Sequence, residues 1–547
     1  MTDGSEDRYD LVIVGAGIAG ALIAHRAAKS RARVLVLEAG AEVDRAQAVS
    51  SYAAAPISKG FKSLGAAYTA AGAEGPEHAG GGGYYVQTPG HDGFKSTYER
   101  VLGGSTWHWL GHTPRLLPSD FRLHSMYGVG ADWPITYDDL EPWYCQAEHE
   151  IGVAGDDAEW DGVHGAFRSK KFPLSKIWPS VADLHVTQAL RDVDIAGQRI
   201  RVLSTPSARN SAPYDGRPPC AGNSTCVPLC PIGAKYDASV HVRKASKAGA
   251  RFVQRAVVTR LIADASGTIT SVEYNGPEGK RSVSGTVVVL AAHAIESARL
   301  LLLSGLANRS DQVGRNLMDH PQRTMLGMAR EPVYPFRGPP ATSGIETFRD
   351  GAFRSTHAAF RFSIGNDGWS KTGSPLADLR DAVLKDGLFG EDLIARVRER
   401  TTRQLRISCS TEMLPSPDNR ITADGPADSL GLPRPRLTFS VQQYTWDGLA
   451  RAMEVAGHIY AAAGADVPEP PDPKGFSGAG HIMGTCRMGD TATTSVVDAS
   501  SRCHDHPNLY VVGATTFPTS GTANPTLTAA ALALRTAATI VERLASR

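Results

Sequence analysis

The chain has 547 residues, with 57 Lys and Arg against 56 Asp and Glu and a formal charge of +1. A balance that even excludes bulk electrostatic binding to nucleic acid or an anionic membrane, which needs a basic excess. Length and a 42% hydrophobic content fit roughly two to four domains around a large core, while seven cysteines are too few for a disulfide-built scaffold.

Met1 to Asp10 is acidic and polar, without the basic start, apolar stretch or twin arginine of an export signal. No run reaches the roughly 18–20 apolar residues that a membrane-spanning helix needs. Taken alone, the chain is expected to be soluble and cytoplasmic. The apolar run from Asp10 to Val14 leads into GAGIAGALIAHRAAKS and then RVLVLEAG, which predicts strand, glycine turn, helix and strand. Gly15, Gly17 and Gly20 form G-x-G-x-x-G in that turn, and Glu38 closes the next strand. In a dinucleotide site the first glycine permits the tight turn and the second lets backbone approach a pyrophosphate. The third lets helix pack on strand, and the acid meets a ribose hydroxyl. The helix N-terminus offers free N–H groups to the phosphates. Spacing and context together predict a bound dinucleotide. Its place near the N-terminus, with the rest of the nucleotide fold returning late in the chain, favours FAD over NAD.

Residues 45–95 are rich in small residues, include the run Gly80 to Gly83, and read as loops. The stretch from Val240 to Ala263 predicts a helix followed by strands; SVEYNG and GTVVVLAA predict more strands, and HAIESARLLLLSG a helix. In the middle third, AAFRFSIG, LRISCSTEML and PRLTFSVQQ alternate like antiparallel strands, near the helical VRERTTRQ and WDGLARAMEVAGHIYAAAG. The final segment, from LYVVGATTF onward, predicts strand, irregular loop and long helix. The expected architecture is α/β. A Rossmann-like FAD-binding domain over residues 1–115, 205–320 and 490–547 is interleaved with an α+β substrate domain over 116–204 and 321–489 that contains an antiparallel sheet.

Three cysteines, Cys220, Cys226 and Cys230, form C-x5-C-x3-C, followed at once by Pro231. Thiolates are the ligands an iron–sulfur cluster needs, and the closing C-x3-C-P echoes part of a ferredoxin-type run. Three cysteines with no evident fourth nearby suit a three-iron cluster better than a four-iron one. Two readings compete: a structural zinc, which prefers C-x2–4-C knuckles and a fourth ligand, and local disulfides, which leave one thiol over. Cys145, Cys409, Cys486 and Cys503 read as small buried residues.

Several distant segments, taken in order, resemble the glucose–methanol–choline (GMC) oxidoreductases. They are VIVGAGIAG with LEAG, RVLGGSTWHWLGHTPR, VGRNLMDHP, HIMGTCRMGD and NLYVVGATTFPTSGTANPTLTAAALAL. A narrower resemblance is to the catalytic large subunits of bacterial FAD-dependent sugar dehydrogenases, acting on glucose, fructose, gluconate and related glycosides or polyols. STYERVLGGSTWHW, LPSDFRLHSMYGVGADWPITYDDLEPWY and ARNSAPYDGRPPCAGNSTCVPLCPIGAKYDASVHVRKASKAGA carry it. The resemblance implies the GMC fold, FAD, and a [3Fe–4S] cluster on Cys220, Cys226 and Cys230 in a loop at about residues 218–232. It implies oxidation of a hydroxyl of a sugar, glycoside, aldonate or polyol, with electrons leaving for a multihaem cytochrome c subunit. It also implies a small chaperone-like subunit carrying an export signal, and so a periplasmic location reached with that partner's help.

The same resemblance gives single residues their roles. His481, opening HIMGTCRMGD, stands at the active-site base, and Asn524 at its partner, orienting the hydroxyl and stabilising the developing alkoxide. A neutral histidine suits proton removal near neutral pH. Pro525 and Thr526 begin a helix aimed at the flavin. Gly103, Gly104 and Ser105 are expected against the flavin. His108, between Trp107 and Trp109, is the candidate for a covalent flavin bond, with His112 close by. Ala256, Val257 and Ala514 are expected at the cofactor, and Asn316 and His320 at the boundary between domains. Gly513 stands where many members carry an acid, which puts one polar flavin contact in doubt. Asp132, Trp133 and Glu412 are expected in structural roles rather than at substrate or an interface. Competing functions are an oxygen-using, pyranose-oxidase-like sugar oxidase and a non-catalytic FAD electron-transfer subunit; His481 and Asn524 argue against the latter.

Overall fold

Apolar residues at consecutive positions, not alternate ones, run from Leu11 to Val14, the signature of a strand covered on both faces. In the computed structural model, which describes residues 8–54, 84–368, 375–466 and 475–546, this becomes strand Arg8–Val14. The run Gly80 to Gly83 lies outside the described residues. Arg8–Val14 pairs in parallel with Val34–Leu37 on one side and with the second half of Gly279–Leu290 on the other. Arg251–Val253 and Leu509–Val511 extend the parallel sheet at its two edges. Leu11 and Ile13 face one layer, shared with Ala21 and Ala24 of helix Ile18–Lys29 and with Ala533 and Ala537 of helix Thr526–Ala545. Val12 and Val14 face the other. The first half of Gly279–Leu290 pairs antiparallel with Ile269–Gly276, and that strand with Val257–Ala263. Segments far apart in sequence thus build one sheet whose parallel strands end together at Val14, Leu37, Leu290 and Val511.

A second, six-stranded sheet is antiparallel, in the order Ser477–Gly478, Pro321–Met328, Gln404–Thr411, Phe360–Gly365, Ala341–Ile345 and Val202–Ser204. Side-chain alternation gives it two unlike faces. Leu405, Ile407 and Cys409, with Phe360 and Phe362, pack beneath Leu449, Val455 and Ile459 of helix Gln443–Ala462. Burial of each large apolar side chain there contributes roughly 2 kcal/mol. Arg406, Ser408 and Ser410, in register with Arg361 and Ser363, face the opposite way, into a cavity.

Two local expectations fail. Within the stretch read as loops, Arg45–Ala54 is a helix and Val86–Gln87 a short strand. The sequence signal for the helix was its cap: Asp44 Oδ1 accepts the backbone N–H groups of Ala46 and Gln47. PRLTFSVQQ adds only Arg436–Thr438, which pairs with Arg420–Thr422 and Val86–Gln87 instead of joining the large sheet. Pro433 and Pro435 remove backbone donors just before it, which keeps the strand short. No helix of the described residues is long and apolar enough to cross a membrane.

Candidate active site

The carboxyl edge of the parallel sheet and the polar face of the antiparallel sheet enclose a cavity of about 590 Å³. Open α/β sheets place ligands at this edge. Gly15 turns at φ +99°, and a Cβ there would meet Ala291 O at 2.6 Å, so the turn accepts only glycine. Nothing lies within 4 Å of where a Cβ on Gly17 would stand, the open approach that a pyrophosphate needs. Gly20 does not line the cavity; its bare Cα lets the helix lie on Gly15 O. Glu38 lines the wall, and its carboxylate accepts the N–H of Ala16 at 2.7 Å and of Gly40 at 2.8 Å. Burial raises its pKa, and those two bonds oppose the rise. Lone pairs remain on both oxygens for a ribose.

Gly103, Gly104, Ser105 and His108 line one side of the cavity, Ala256 and Val257 a second, and Ala514, Pro525 and Thr526 a third. Pro525 precedes the first residue of helix Thr526–Ala545, so a second positive helix end reaches the cavity. Gly513 turns at φ +100°, a backbone shape that would strain the acid expected there. Open glycine turn, ribose acid and two helix N-termini together fit FAD.

Where the two sheets meet, Asn524 Nδ2 and His481 Nε2 are 2.9 Å apart. The His481 backbone N–H donates to Asp319 Oδ1 at 2.9 Å, and its ring Nδ1 lies 2.8 Å from Nδ1 of His320. Asp319 also accepts the His320 N–H at 2.7 Å and the Ser96 hydroxyl. His320 is fully buried, and burial pushes its pKa down to about 4. On the other side, Arg361 Nη1 donates to Asn524 Oδ1 at 3.0 Å. Glu346 grips Arg361, with Nη2 2.5 Å from Oε1 and Nε 3.1 Å from both carboxylate oxygens. Burial pushes the Glu346 pKa up, but Arg361 and Arg349 hold it below the usual carboxylate range. Beyond the pair lies a polar wall of Gln322, Ser363, Ser408 and Ser410, with Arg406 Nε held 2.5 Å from Asp367 Oδ1. Such a wall offers the donors and acceptors that a hydroxyl-rich molecule needs.

Residues 133–322 and 415–533 match GMC oxidoreductase, and residues 10–117 match FAD dependent oxidoreductase. The chain is 37% identical to the fructose dehydrogenase large subunit of Gluconobacter japonicus over 98% of each chain. It belongs to the GMC oxidoreductases. Like its relatives, this GMC oxidoreductase is an FAD-dependent enzyme that oxidises a CH–OH group. It is 29% identical to 6'''-hydroxyparomomycin C oxidase of Streptomyces lividus, over 100% of this chain and 94% of that one. It is 28% identical to 2-methyl-1,2-propanediol dehydrogenase of Mycolicibacterium austroafricanum, over 97% and 95%. A crystal structure of pyridoxine 4-oxidase from Mesorbium loti shares the fold, with a TM-score of 0.63 and 20% identity over 98% and 99% of the two chains.

This GMC oxidoreductase holds Cys226 and Cys230 buried and Cys220 partly so, all as free thiols. Local disulfides are therefore absent from the loop. The sulfurs are close enough to act on one another: burial raises the Cys220 pKa most, and Cys226 and Cys230 add to it. Among the described residues, only His25, Glu150 and His241 bring three such ligand atoms within 4.8 Å of one another. At least one pair of the three sulfurs is thus more than 4.8 Å apart, wider than the about 3.8 Å separating two sulfurs on one tetrahedral zinc. That wider span suits a cluster of several irons. Backbone N–H groups of Gly222 and Lys235 point at the sulfurs of Cys220 and Cys230 at 3.4 and 3.5 Å, hydrogen bonds of the kind that tune such clusters.

Lys235 carried no signal in the sequence. Its buried Nζ donates to Cys226 O at 2.6 Å, Trp109 O at 2.6 Å and Trp107 O at 2.9 Å. Burial draws its pKa down to about 8 against the pull of Cys226 and Cys230. One ammonium therefore ties the cysteine loop to the loop bearing His108, and Val227, beside Cys226, reaches the cavity wall. Lys235→Met strands three buried carbonyls, a cost of about 3 kcal/mol. The expected result is a melting temperature lower by several degrees at unchanged flavin content, read by flavin analysis and thermal melts.

The remaining expected residues sort by position. His108 Nε2 is 3.2 Å from Glu99 Oε1, and His112 is buried at the cavity with Nε2 3.4 Å from Ala341 O. His320, expected at a domain boundary, also touches the candidate base, because the turn at Asp319 brings VGRNLMDHP against His481. Asn316 is buried away from the cavity. Asp132 accepts the N–H groups of His124 and Ser125, Trp133 Nε1 donates to Thr519, and Glu412 binds Arg354; none lines the cavity. Cys145, Cys409, Cys486 and Cys503 are buried.

Proposed function

We propose that this protein is a dehydrogenase that oxidises one hydroxyl of a sugar, glycoside, aldonate or polyol and exports the electrons through a [3Fe–4S] cluster to a multihaem cytochrome c subunit. The observation that carries this reading is the His481–Asn524 pair, set between the cofactor cradle and a wall of serines and Gln322. Oxidising CH–OH to a carbonyl removes a proton from oxygen and a hydride from carbon. FAD, when bound, takes the hydride. The chain's own residues handle the proton: His481 Nε2 accepts it, while Asn524 Nδ2 donates to the oxygen as negative charge gathers there. Cys220, Cys226 and Cys230 would hold the cluster, which supplies a one-electron exit.

His108 is the residue we assign to a covalent flavin bond. Acid-precipitated wild-type protein is expected to stay yellow and His108→Ala to lose its colour; a yellow variant would refute the assignment. Work in the periplasm, reached with a small chaperone-like subunit that carries the export signal, completes the reading. Similarity to a protein named as a large subunit supports partner subunits. Similarity to 6'''-hydroxyparomomycin C oxidase favours a second reading, an oxygen-using oxidase.

The deciding experiment purifies the protein, measures iron and flavin, and offers a panel of sugars and polyols with a dye or with oxygen. About three irons per flavin and turnover with dye alone support the dehydrogenase. Peroxide formed in step with product supports the oxidase.

A further inference from the structure

We propose that Arg361, gripped by Glu346, is a positioning residue that fixes the direction of every hydrogen bond through Asn524 and His481, and so creates the base. This inference rests on the reading of His481 as base. A guanidinium can only donate. Arg361 Nη1 meets Asn524 Oδ1 at 3.0 Å, so the amide oxygen accepts there and the amide nitrogen turns to His481. An amide NH2 also can only donate, so His481 Nε2 accepts and carries no hydrogen. Neutral His481 then has its hydrogen on Nδ1 and gives it to His320 Nδ1, 2.8 Å away. His320 keeps its own hydrogen on Nε2, a buried atom, and the backbone of Ser520 and Gly521 favours a hydrogen on this ring.

The same polarity serves a substrate. A hydroxyl entering between the two side chains receives a hydrogen bond from Asn524 and points its own hydrogen at His481 Nε2. With the amide reversed, a carbonyl would face the developing alkoxide and His481 would offer an N–H where a lone pair is needed. Arg361 lies on strand Phe360–Gly365 and Glu346 directly follows strand Ala341–Ile345, so the antiparallel sheet sets the protonation of a pair carried elsewhere. The titratable and charged groups facing His481 include His320 and Asp319 on one side and, beyond Asn524, Arg361 with Glu346, while Glu412 acts on His320 from farther off.

The test uses holoenzyme and the panel sugar that bleaches wild-type flavin fastest. Arg361→Met is combined with Glu346→Gln, so that no carboxylate is left facing the lost guanidinium while Arg349, 3.4 Å from Glu346, keeps Asp120 as its charge partner, and compared with Arg361→Lys, which keeps a donor. The double variant is expected to reduce its flavin about 100-fold more slowly. The acid limb of its pH–rate profile should also move to higher pH, since a carbonyl turned toward His481 favours the imidazolium. Arg361→Lys should recover to within about tenfold of wild type and restore the limb. A slower rate with an unmoved limb would reduce Arg361 to a structural role and overturn the inference. A second readout needs no substrate: nitrogen-15 spectra of histidine-labelled protein, with the His481 signal identified by its loss in His481→Gln. Wild type should show hydrogen on Nδ1 and a bare Nε2; the reverse overturns the inference. If His481→Ala retains activity, the base reading fails and takes this one with it. If His481→Ala is inactive while the double variant keeps the wild-type rate and limb, only the role of Arg361 fails.

Discussion

His481→Ala should slow the bleaching of flavin by sugar by about 10³–10⁴-fold, the share that a positioned general base contributes. Neither His320 nor Asp319 is placed to take over the proton. His320 is neutral, but its Nδ1 faces His481 and not the cavity, and Asp319 is occupied by two backbone N–H groups and the Ser96 hydroxyl. Sugar affinity should fall less than about tenfold, since Gln322, Ser363, Ser408 and Ser410 are untouched. Loss of kcat without matching loss of affinity is the mark of a group that acts in the transition state. Asn524→Ala, which removes one donor to the alkoxide and leaves the base, should cost about 100-fold. Anaerobic stopped-flow absorbance across a range of sugar concentrations separates the two constants. A wild-type bleaching rate in His481→Ala would place the base elsewhere.

How much of this site was legible in the sequence depends on what kind of signal each residue left. Gly15, Gly17, Gly20 and Glu38 were readable because local geometry alone dictates them: a turn, an approach and a packing contact at fixed spacing. The long helices were readable from their apolar period, and so was Gln404–Thr411, whose alternation separates Leu405, Ile407 and Cys409 from Arg406, Ser408 and Ser410. His481 and Asn524 left no local signal; only the resemblance singled them out. Arg361, Glu346, His320 and Lys235 act across long stretches of chain, and nothing near them in sequence reveals the partner. An arginine in FRFSIG is indistinguishable from a solvent-facing strand residue until the fold puts Asn524 beside it. A lysine after CPIGA reads as a surface charge until three carbonyls from two loops close around it. Short strands misled for a related reason, since Arg436–Thr438 is assigned to its small sheet by neighbours, not by its own pattern.

Cys226→Ser should separate the two halves of the reaction. The substitution keeps side-chain size in a loop where Cys226 is 3% exposed and its sulfur makes a long contact, 3.8 Å, to Asn223 O. The fold and the flavin cavity should therefore survive, since only Val227 of this loop reaches the cavity wall. Sugar should bleach the flavin at close to the wild-type rate. An alcohol is a far poorer iron ligand than a thiolate, so a three-thiolate set reduced to two should lose iron on purification. With the proposed one-electron exit gone, cytochrome c reduction by the proposed assembly of subunits should fall by about 100-fold or more. Lys235 sharpens the comparison, because its ammonium holds the Cys226 carbonyl, not the sulfur, so the strap between the two loops persists in Cys226→Ser. Retained bleaching, absent iron and lost cytochrome reduction form the expected triple. Equal loss of bleaching and cytochrome reduction would show that the cysteines shape the flavin site itself, and full cytochrome reduction without iron would remove the cluster from the path.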